Sequence, residues 1–249
     1  MSEKTVFLAG ATGAIGRALV PLLTGAGYTV HGSTRRVERA KALEAQGVQP
    51  VVIDVFDAPA LAAALKRIAP AAVIHQLTDL PGSLDPKAMA EAVVRNARIR
   101  TEGTRNLVAA ALAAGCGRMI AQSIAWAYAP GPKPCREEQP LDLDAQGSLS
   151  ISVRGVAALE QSVLGSAALK GTVLRYGQLY GPGTWRTAPE GTSPVHVEAA
   201  AWAALKALQR SPGGSIFNIA EDGPEVSSEM AKRELGWHAG LRLPQGAMQ

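Results

Sequence analysis

Residues 4–23 read KTVFLAGATGAIGRALVPLL, and this stretch decides the architecture. KTVFLAG (4–10) is a short apolar, β-branched run ending in glycine, the pattern of a strand buried in a parallel sheet. From residue 14 to 27 the spacing turns helical: Ile15, Leu19, Leu22 and Leu23 share one stripe, and Gly25 and Gly27 close it. Strand, glycine turn and helix form the first half of a βαβ unit, and the chain then repeats the alternation. Strands are expected at YTVHGSTR (28–35), PVVIDV (50–55), AAVIHQL (71–77) and RMIAQS (118–123). Helices are expected through ERAKALEAQG (38–47), 58–69 and about 87–114. Such an order demands a parallel sheet covered on both faces, and right-handed crossovers make it α/β and doubly wound.

The regular pattern breaks at APGPKPCREEQPLDLDAQGSLS (129–150), four prolines and four acids in a loop long enough to suggest a functional role. It resumes with a helix at about 151–168, a strand at GTVLRYG (171–177), a helix at 197–210 and a strand at SIFNIA (215–220). No composition change marks a linker. The expectation is one Rossmann-type domain over 1–249, with a cofactor half at about 1–128. The loop at 129–150 and a small C-terminal lobe at 178–249 would lie on the substrate side.

Composition narrows the function classes. The 249 residues are 47% hydrophobic and 18% charged, and four positive charges in excess are scattered. Arg95, Arg98, Arg100 and Arg105 lie among acids and alanines in one helix, with no aromatic interleaving, so no nucleic-acid partner is expected. Cys116 and Cys135 are too few for a disulfide framework or a cysteine-based zinc site. His31, His75, His196 and His238 have no metal-ligand spacing, so no metal is expected. The apolar runs are too short for a signal peptide or a membrane span, and a cytoplasmic location follows as an expectation.

GATGAIG puts Gly10, Gly13 and Gly16 between a strand and a helix. The three serve a tight turn, close backbone approach to a pyrophosphate and close helix–strand packing. Phosphates are drawn to the free N–H groups at the helix start. Thr12, Ala14 and Ile15 join the glycines as candidate cofactor contacts. An NAD site has an acid at the end of the second strand, whereas a 2′-phosphate asks for arginine. Ser33, Thr34, Arg35 and Arg36 stand there, with no acid before Glu38. The reading is NADP (NADPH), with Arg35 as main phosphate partner and Arg36 or Ser33 assisting.

Together these residues resemble the short-chain dehydrogenase/reductase superfamily, in the extended or atypical branch that holds NAD(P)-dependent epimerases and dehydratases. GATGAIGR resembles its opening motif and IDVFD (53–57) its third-strand motif. The resemblance implies that Asp54 bonds the adenine amino group, with Val55 beside it. VIHQLT (73–78) and EGTRNLVAAALAAG (102–115) follow in order, as do VLRYGQLYGPG (173–183), PVHVEAAA (194–201), FNIAEDGP (217–224) and AKRELGW (231–237). On that basis Gln76, Leu77 and Thr78 would line the cofactor, and Tyr176, Gly177 and Leu179 would sit near its nicotinamide end. His196 would be a packing residue. The helices at 87–114 and 151–168 are those that pair in dimeric relatives, which implies a homodimer.

The catalytic half departs from the pattern. In the family a tyrosine and, four residues later, a lysine relay the substrate proton, because a phenol of pKa about 10 needs nearby cations to act near neutrality. With Glu160 as anchor, those positions hold Ser152 and Val156. Ile124 stands where an orienting hydroxyl usually lies, with Ser123 one residue earlier, and Arg100 stands about where an asparagine is common. The replacement candidates are Ser123, Tyr128 and Ser152. Arg154 could neutralise an anionic substrate, and Glu137 and Glu138 would lie in a loop covering the pocket. Three functions compete. One is an NADPH-dependent oxidoreductase acting on a small carbonyl or hydroxyl substrate through a non-standard proton donor. The others are a non-redox isomerase, lyase or cyclase, and an NADP(H)-sensing regulatory protein.

Overall fold

A computed structural model describes residues 4–81 and 85–243. Its centre is a seven-stranded sheet, all pairs parallel: β1 (Thr5–Ala9), β2 (Thr29–Thr34), β3 (Gln49–Val52), β4 (Ala72–His75), β5 (Arg118–Ile124), β6 (Lys170–Tyr176) and β9 (Ser215–Ile219). The spatial order β3-β2-β1-β4-β5-β6-β9 reverses direction between β1 and β4. That reversal opens a crevice at the carboxyl ends of the strands, where ligands bind in open α/β sheets.

The strand period of two divides the core. Val6 and Leu8 face α1 (Ala14–Gly25) and α7 (Val197–Arg210), in a layer that also takes in Ile74, Leu174 and Phe217. Phe7 and Ala9 face the opposite layer, built with α3 (Ala58–Ile68), α5 (Thr104–Ala113) and α6 (Gly147–Leu164). The expected α/β doubly wound sheet is therefore observed. The C-terminal segment completes that sheet through β9. Between α1 and α3, α2 (Ala40–Glu44) follows a single 3₁₀ turn at Val37–Arg39.

Several boundaries differ from the sequence pattern, for local reasons. β3 stops at Val52 because Asp54 Oδ1 accepts the Phe56 N–H at 3.0 Å and turns the chain. β4 stops at His75, whose Nδ1 accepts the Leu77 N–H at 3.2 Å. The single helix expected over 87–114 is three pieces: α4 (Pro86–Arg98), a π-helical turn (Ile99–Gly103) and α5. Asp85 caps α4 by accepting the Ala88 N–H at 2.8 Å. α6 begins at Gly147, four residues before the expected start.

A two-stranded parallel sheet, β7 (Gln178–Tyr180) with β8 (Pro194–His196), lies outside the main sheet and was not foreseen. A second π-helical turn (Ala231–Leu235) leads to Trp237, buried with its indole N–H donating to Ala199 O at 2.7 Å. Among the described residues no helix is long and apolar enough to cross a membrane, and no group of three His, Cys, Asp or Glu could hold a metal ion.

Candidate active site

A cleft of about 750 Å³ runs along the carboxyl ends of the strands, from the glycine turn past β4 and β5 to α6 and the segment after β6. At one end Gly10 takes φ +92°, and a Cβ there would lie 2.7 Å from Gln76 O. A Cβ on Gly16 would fall 2.1 Å from Gly10 O, so this glycine lets α1 pack on the turn and does not line the cleft. Gly13, the residue before α1, is different: its Cβ would meet nothing closer than Gly10 O at 3.4 Å. Gly13 faces the cleft, so a side chain there would obstruct whatever the cleft holds and not the fold.

Thr12, Ala14 and Ile15 line this end, as do Arg35 and Arg36 beyond β2. Ser33 is tied to the turn, its hydroxyl accepting the Gly10 N–H at 3.3 Å. Sequence reasoning missed Arg39 and Arg17, which also line the cleft, Arg39 with Nη1 3.5 Å from Thr12 Oγ1. Arg17 stands in the first turn of α1 and Arg39 ends the 3₁₀ turn after β2, positions where a solvated arginine gives the same sequence pattern. Arg35 is paired with Asp79 at 3.5 Å, and Arg95 approaches the same carboxylate at 3.6 Å. Val55 lines the cleft with Ile53 and Phe56, while Asp54 is exposed and outside the lining, occupied with the Phe56 turn.

Gln76, Leu77 and Thr78 form the middle of the floor with Tyr176, Gly177 and Leu179. Gln76 is buried. Its amide N–H reaches Tyr176 Oη at 3.4 Å, and its Oε1 has no partner among the described residues. Burial first, and the nearby Arg100 second, hold His75 neutral down to a pKa of about 4. With Nδ1 accepting from Leu77, its Nε2–H donates to Thr104 Oγ1 at 3.1 Å. His75 is thus a fixed brace beneath the floor.

The other end holds the positions of the missing relay. Ser152 lines the cleft, but Val156 does not. Val156 and Ile124 belong to one apolar cluster with Ala127, Val153, Ala145 and Leu141. Leu141 and Ala145 come from the long loop. That loop was expected to cover the pocket, and it instead packs over Val156 at the lysine position and docks on β9 and the segment after it: Glu137 Oε1 accepts the Asn218 N–H at 2.9 Å, and Cys135 bridges to Val226. Glu137, Glu138 and Arg154 are absent from the cleft lining. The walls at this end come from Trp126, Trp185 and Arg186, which the sequence pattern did not single out. Trp185 donates its indole N–H to Pro81 O at 3.0 Å and so joins two sides of the cleft.

Two of the three hydroxyl candidates are engaged elsewhere. Ser123 Oγ donates to Glu160 Oε1 at 2.8 Å, and Glu160 is held bidentately by Arg175 at 2.7 and 2.9 Å. Burial opposes the Arg175 charge, and the hydrogen bonds and charge of Glu160 outweigh it, raising the Arg175 pKa. Tyr128 stacks on Arg175, with the guanidinium carbon 4.8 Å from the ring centroid, and donates to Asn218 Oδ1 at 2.6 Å. Burial pushes its phenol up to about 12, and it does not line the cleft. The structure therefore places Tyr128, half-buried, in a brace behind the cleft. Ser152 is the remaining candidate whose hydroxyl has no partner among the described residues.

The profile of the NAD dependent epimerase/dehydratase family matches residues 6–201. A curated Streptomyces protein, "3-diazoavenalumate denitrifying reductase", is 41% identical over 245 residues, covering 90% of this chain and 78% of that protein. Among solved structures, the UDP-glucose 4-epimerase of Thermotoga maritima superimposes with a TM-score of 0.76 at 17% identity, over 98% of this chain and 96% of its own. The Thermus thermophilus UDP-glucose 4-epimerase, solved with NAD, has a TM-score of 0.76 at 18% identity with the same coverage of 98% and 96%. Those identities speak to the fold alone. The sheet order, the glycine turn and the matched span agree: the chain belongs to the NAD dependent epimerase/dehydratase family, and is an enzyme of its oxidoreductase/epimerase type.

Proposed function

We propose that this protein is an NADPH-dependent reductase of an aromatic diazonium compound, a substrate that accepts hydride without needing a proton from the enzyme. The observation that carries the reading is the apolar plug at the relay position, where Val156 and Ile124 are packed together under the long loop. A carbonyl acceptor becomes an alkoxide when hydride arrives, and a site reducing it benefits from a placed acid. Here the Ser123 and Tyr128 hydroxyls are committed to Glu160 and Asn218. The relative at 41% identity, named as a denitrifying reductase of a diazo compound, supports the same acceptor class.

The residues suit a dinucleotide. Gly10, Thr12 and Gly13 with the start of α1 would hold the pyrophosphate, Arg35, Arg36 and Arg39 the 2′-phosphate, and Gln76, Leu77, Thr78, Tyr176 and Gly177 the inner portion. The unpartnered Gln76 Oε1 and the open face of Gly13 are the features such a ligand would complete. NADPH, when bound, supplies the hydride and leaves as NADP⁺. The ring carbon gains a C–H bond, the C–N bond breaks with its electron pair leaving in dinitrogen, and no proton enters. The task of the protein is then to orient the ring, with Trp126 and Trp185 as walls, and to exclude water that would hydrolyse the substrate.

The test uses NADPH deuterated at C4 and an arenediazonium salt, with an enzyme-free control. Enzyme-dependent NADP⁺ formation, gas release and deuterium at the vacated ring carbon are expected, with no label entering from D₂O when the cofactor is unlabelled. Solvent deuterium at that carbon, or substrate loss without NADPH oxidation, would overturn the reading. An Arg35→Ala variant should lose about tenfold in preference for NADPH over NADH, the worth of one exposed charged contact of about 1.4 kcal/mol.

A further inference from the structure

The π-helical turn Ile99–Gly103 sits between α4 and α5 and carries Arg100 into the cleft. Extra-residue turns of this kind are often found at functional sites, because they re-aim one side chain without breaking the helix. Of the six arginines that line the cleft, Arg35 pairs with Asp79 and Arg186 with Glu190, while Arg17, Arg36 and Arg39 at the glycine-turn end have no acidic partner among the described residues. Arg100 has none among the described residues. Its one polar contact is Nη1 to the backbone oxygen of Ser152, at 3.5 Å. Gly155, one turn further along α6, leaves room for the stem: a Cβ there would stand 3.2 Å from Ala97 Cα and 3.5 Å from Arg100 Cδ.

Arg100 is half-buried, and with only one of its five N–H groups bonded to a described residue it offers the others to an anion entering the cleft. Burial lowers the Arg100 pKa to about 10, which leaves the group charged at neutral pH. The arginines at 35, 36 and 39 lie beyond β2, whereas Arg100 lies against Ser152 on α6, across from Ile124 at the end of β5. The cleft therefore has two separate cationic centres. One suits a cofactor phosphate, and the other faces the remainder of the cleft, which the exposed indole of Trp126 also lines.

We infer that Arg100 anchors the carboxylate of an aromatic acid substrate, and so determines which acceptors the cleft admits. Calling that acid the substrate rests on the reductase reading; the anion site itself does not. A planar carboxylate matches the guanidinium fork with two parallel hydrogen bonds, which an amide or a lysine cannot reproduce. Two anionic probes of different shape, cinnamate and inorganic phosphate, separate a carboxylate site from a generic anion site.

The experiment is calorimetric titration of the protein, with and without saturating NADP⁺, using cinnamate, the neutral isostere cinnamamide and phosphate. Cinnamate is expected to bind at least about tenfold more tightly than cinnamamide. Arg100→Met should abolish that difference and Arg100→Lys should restore only part of it, with NADP⁺ affinity unchanged in both as the check on folding. Equal binding of cinnamate and cinnamamide by the wild-type protein would overturn the proposal. So would phosphate competing with cinnamate at equal affinity, or an Arg100→Met variant that keeps the difference. Should Arg100→Met fail to fold, the wild-type acid–amide comparison and Arg100→Lys still decide. Arg100-dependent cinnamate binding without any diazonium reduction would retain the anchor and remove the reductase reading. Reduction of charged and neutral diazonium substrates at equal kcat/KM would do the reverse.

Discussion

The two ends of the cleft lie on one sheet and were shaped in opposite ways. At the glycine turn the space is kept open: Gly16 lets α1 pack, Gly10 turns the chain at φ +92°, and Gly13 presents bare backbone. At the α6 end Ser152 and Arg100 still line the cleft, but the lysine position of the relay has been filled. Ile124 and Val156 pack together, Leu141 and Ala145 of the long loop close over them, and the charged groups behind are locked into the Ser123–Glu160–Arg175 network. A family scaffold can thus keep its cofactor end while the machinery for proton transfer is replaced by structure. The difference teaches that binding and chemistry on this fold are separable, since each depends on a distinct set of strand ends.

The strongest challenge to this contrast is Glu160→Ala. If the network is structural, removing one member of a buried pair leaves Arg175 uncompensated and costs about 3–5 kcal/mol. In a chain of this size that lowers the melting temperature by roughly 2–4 °C per kcal/mol. A variant that melts like wild type but loses turnover would instead make Glu160 part of the chemistry.

Next in size is a pH effect from the brace beneath the floor. His75 has a folded-state pKa of about 4 against an ordinary 6.5, so the unfolded chain takes up the proton first as pH falls. Its contribution to stability is complete above pH 6.5, declines between 6.5 and about 4, and is level below. The separation corresponds to about 3 kcal/mol. Urea unfolding of wild type and His75→Gln across pH 7.5 to 4 should show a shallower decline in the variant, and parallel curves would dismiss the brace.

The smallest effect discriminates between two glycines. Gly16→Ala pushes a methyl into backbone and should cost about 1–3 kcal/mol of stability. Gly13→Ala meets only ordinary contact, so its stability loss should stay below about 1 kcal/mol while nucleotide affinity drops. Chemical denaturation and NADP⁺ titration of both variants check this. Equal stability losses would mean that Gly13 too is there for packing.

The open end was the more legible one. GATGAIG, the arginines after β2 and the order of strands are local patterns, and local sterics dictate them. The loss of Tyr and Lys was also legible, because an absent side chain needs no structure to be noticed. Their replacement was not. Val156 and Ile124 are 32 residues apart, and Leu141 joins them only once the long loop has folded back. Tyr128 looked like a substrate-side hydroxyl because it follows β5, but its ring is drawn behind the cleft by Arg175, 47 residues later in the chain. Arg100 was visible only as a departure from a family position. The π-helical turn that aims it has no residue signature, since it differs from an α-helix by one hydrogen-bond register.

The sequence by itself determined the parallel α/β sheet, the glycine turn and the absence of the usual proton relay, because periodicity, φ preference and residue identity act over a few neighbours. Only the tertiary structure decided which side chains share the cleft, that the proline-rich loop packs over Val156 and Ile124, and that Arg100 has no counter-charge among the described residues. Those facts depend on long-range packing, in which burial and pairing are properties of partners brought together from distant parts of the chain.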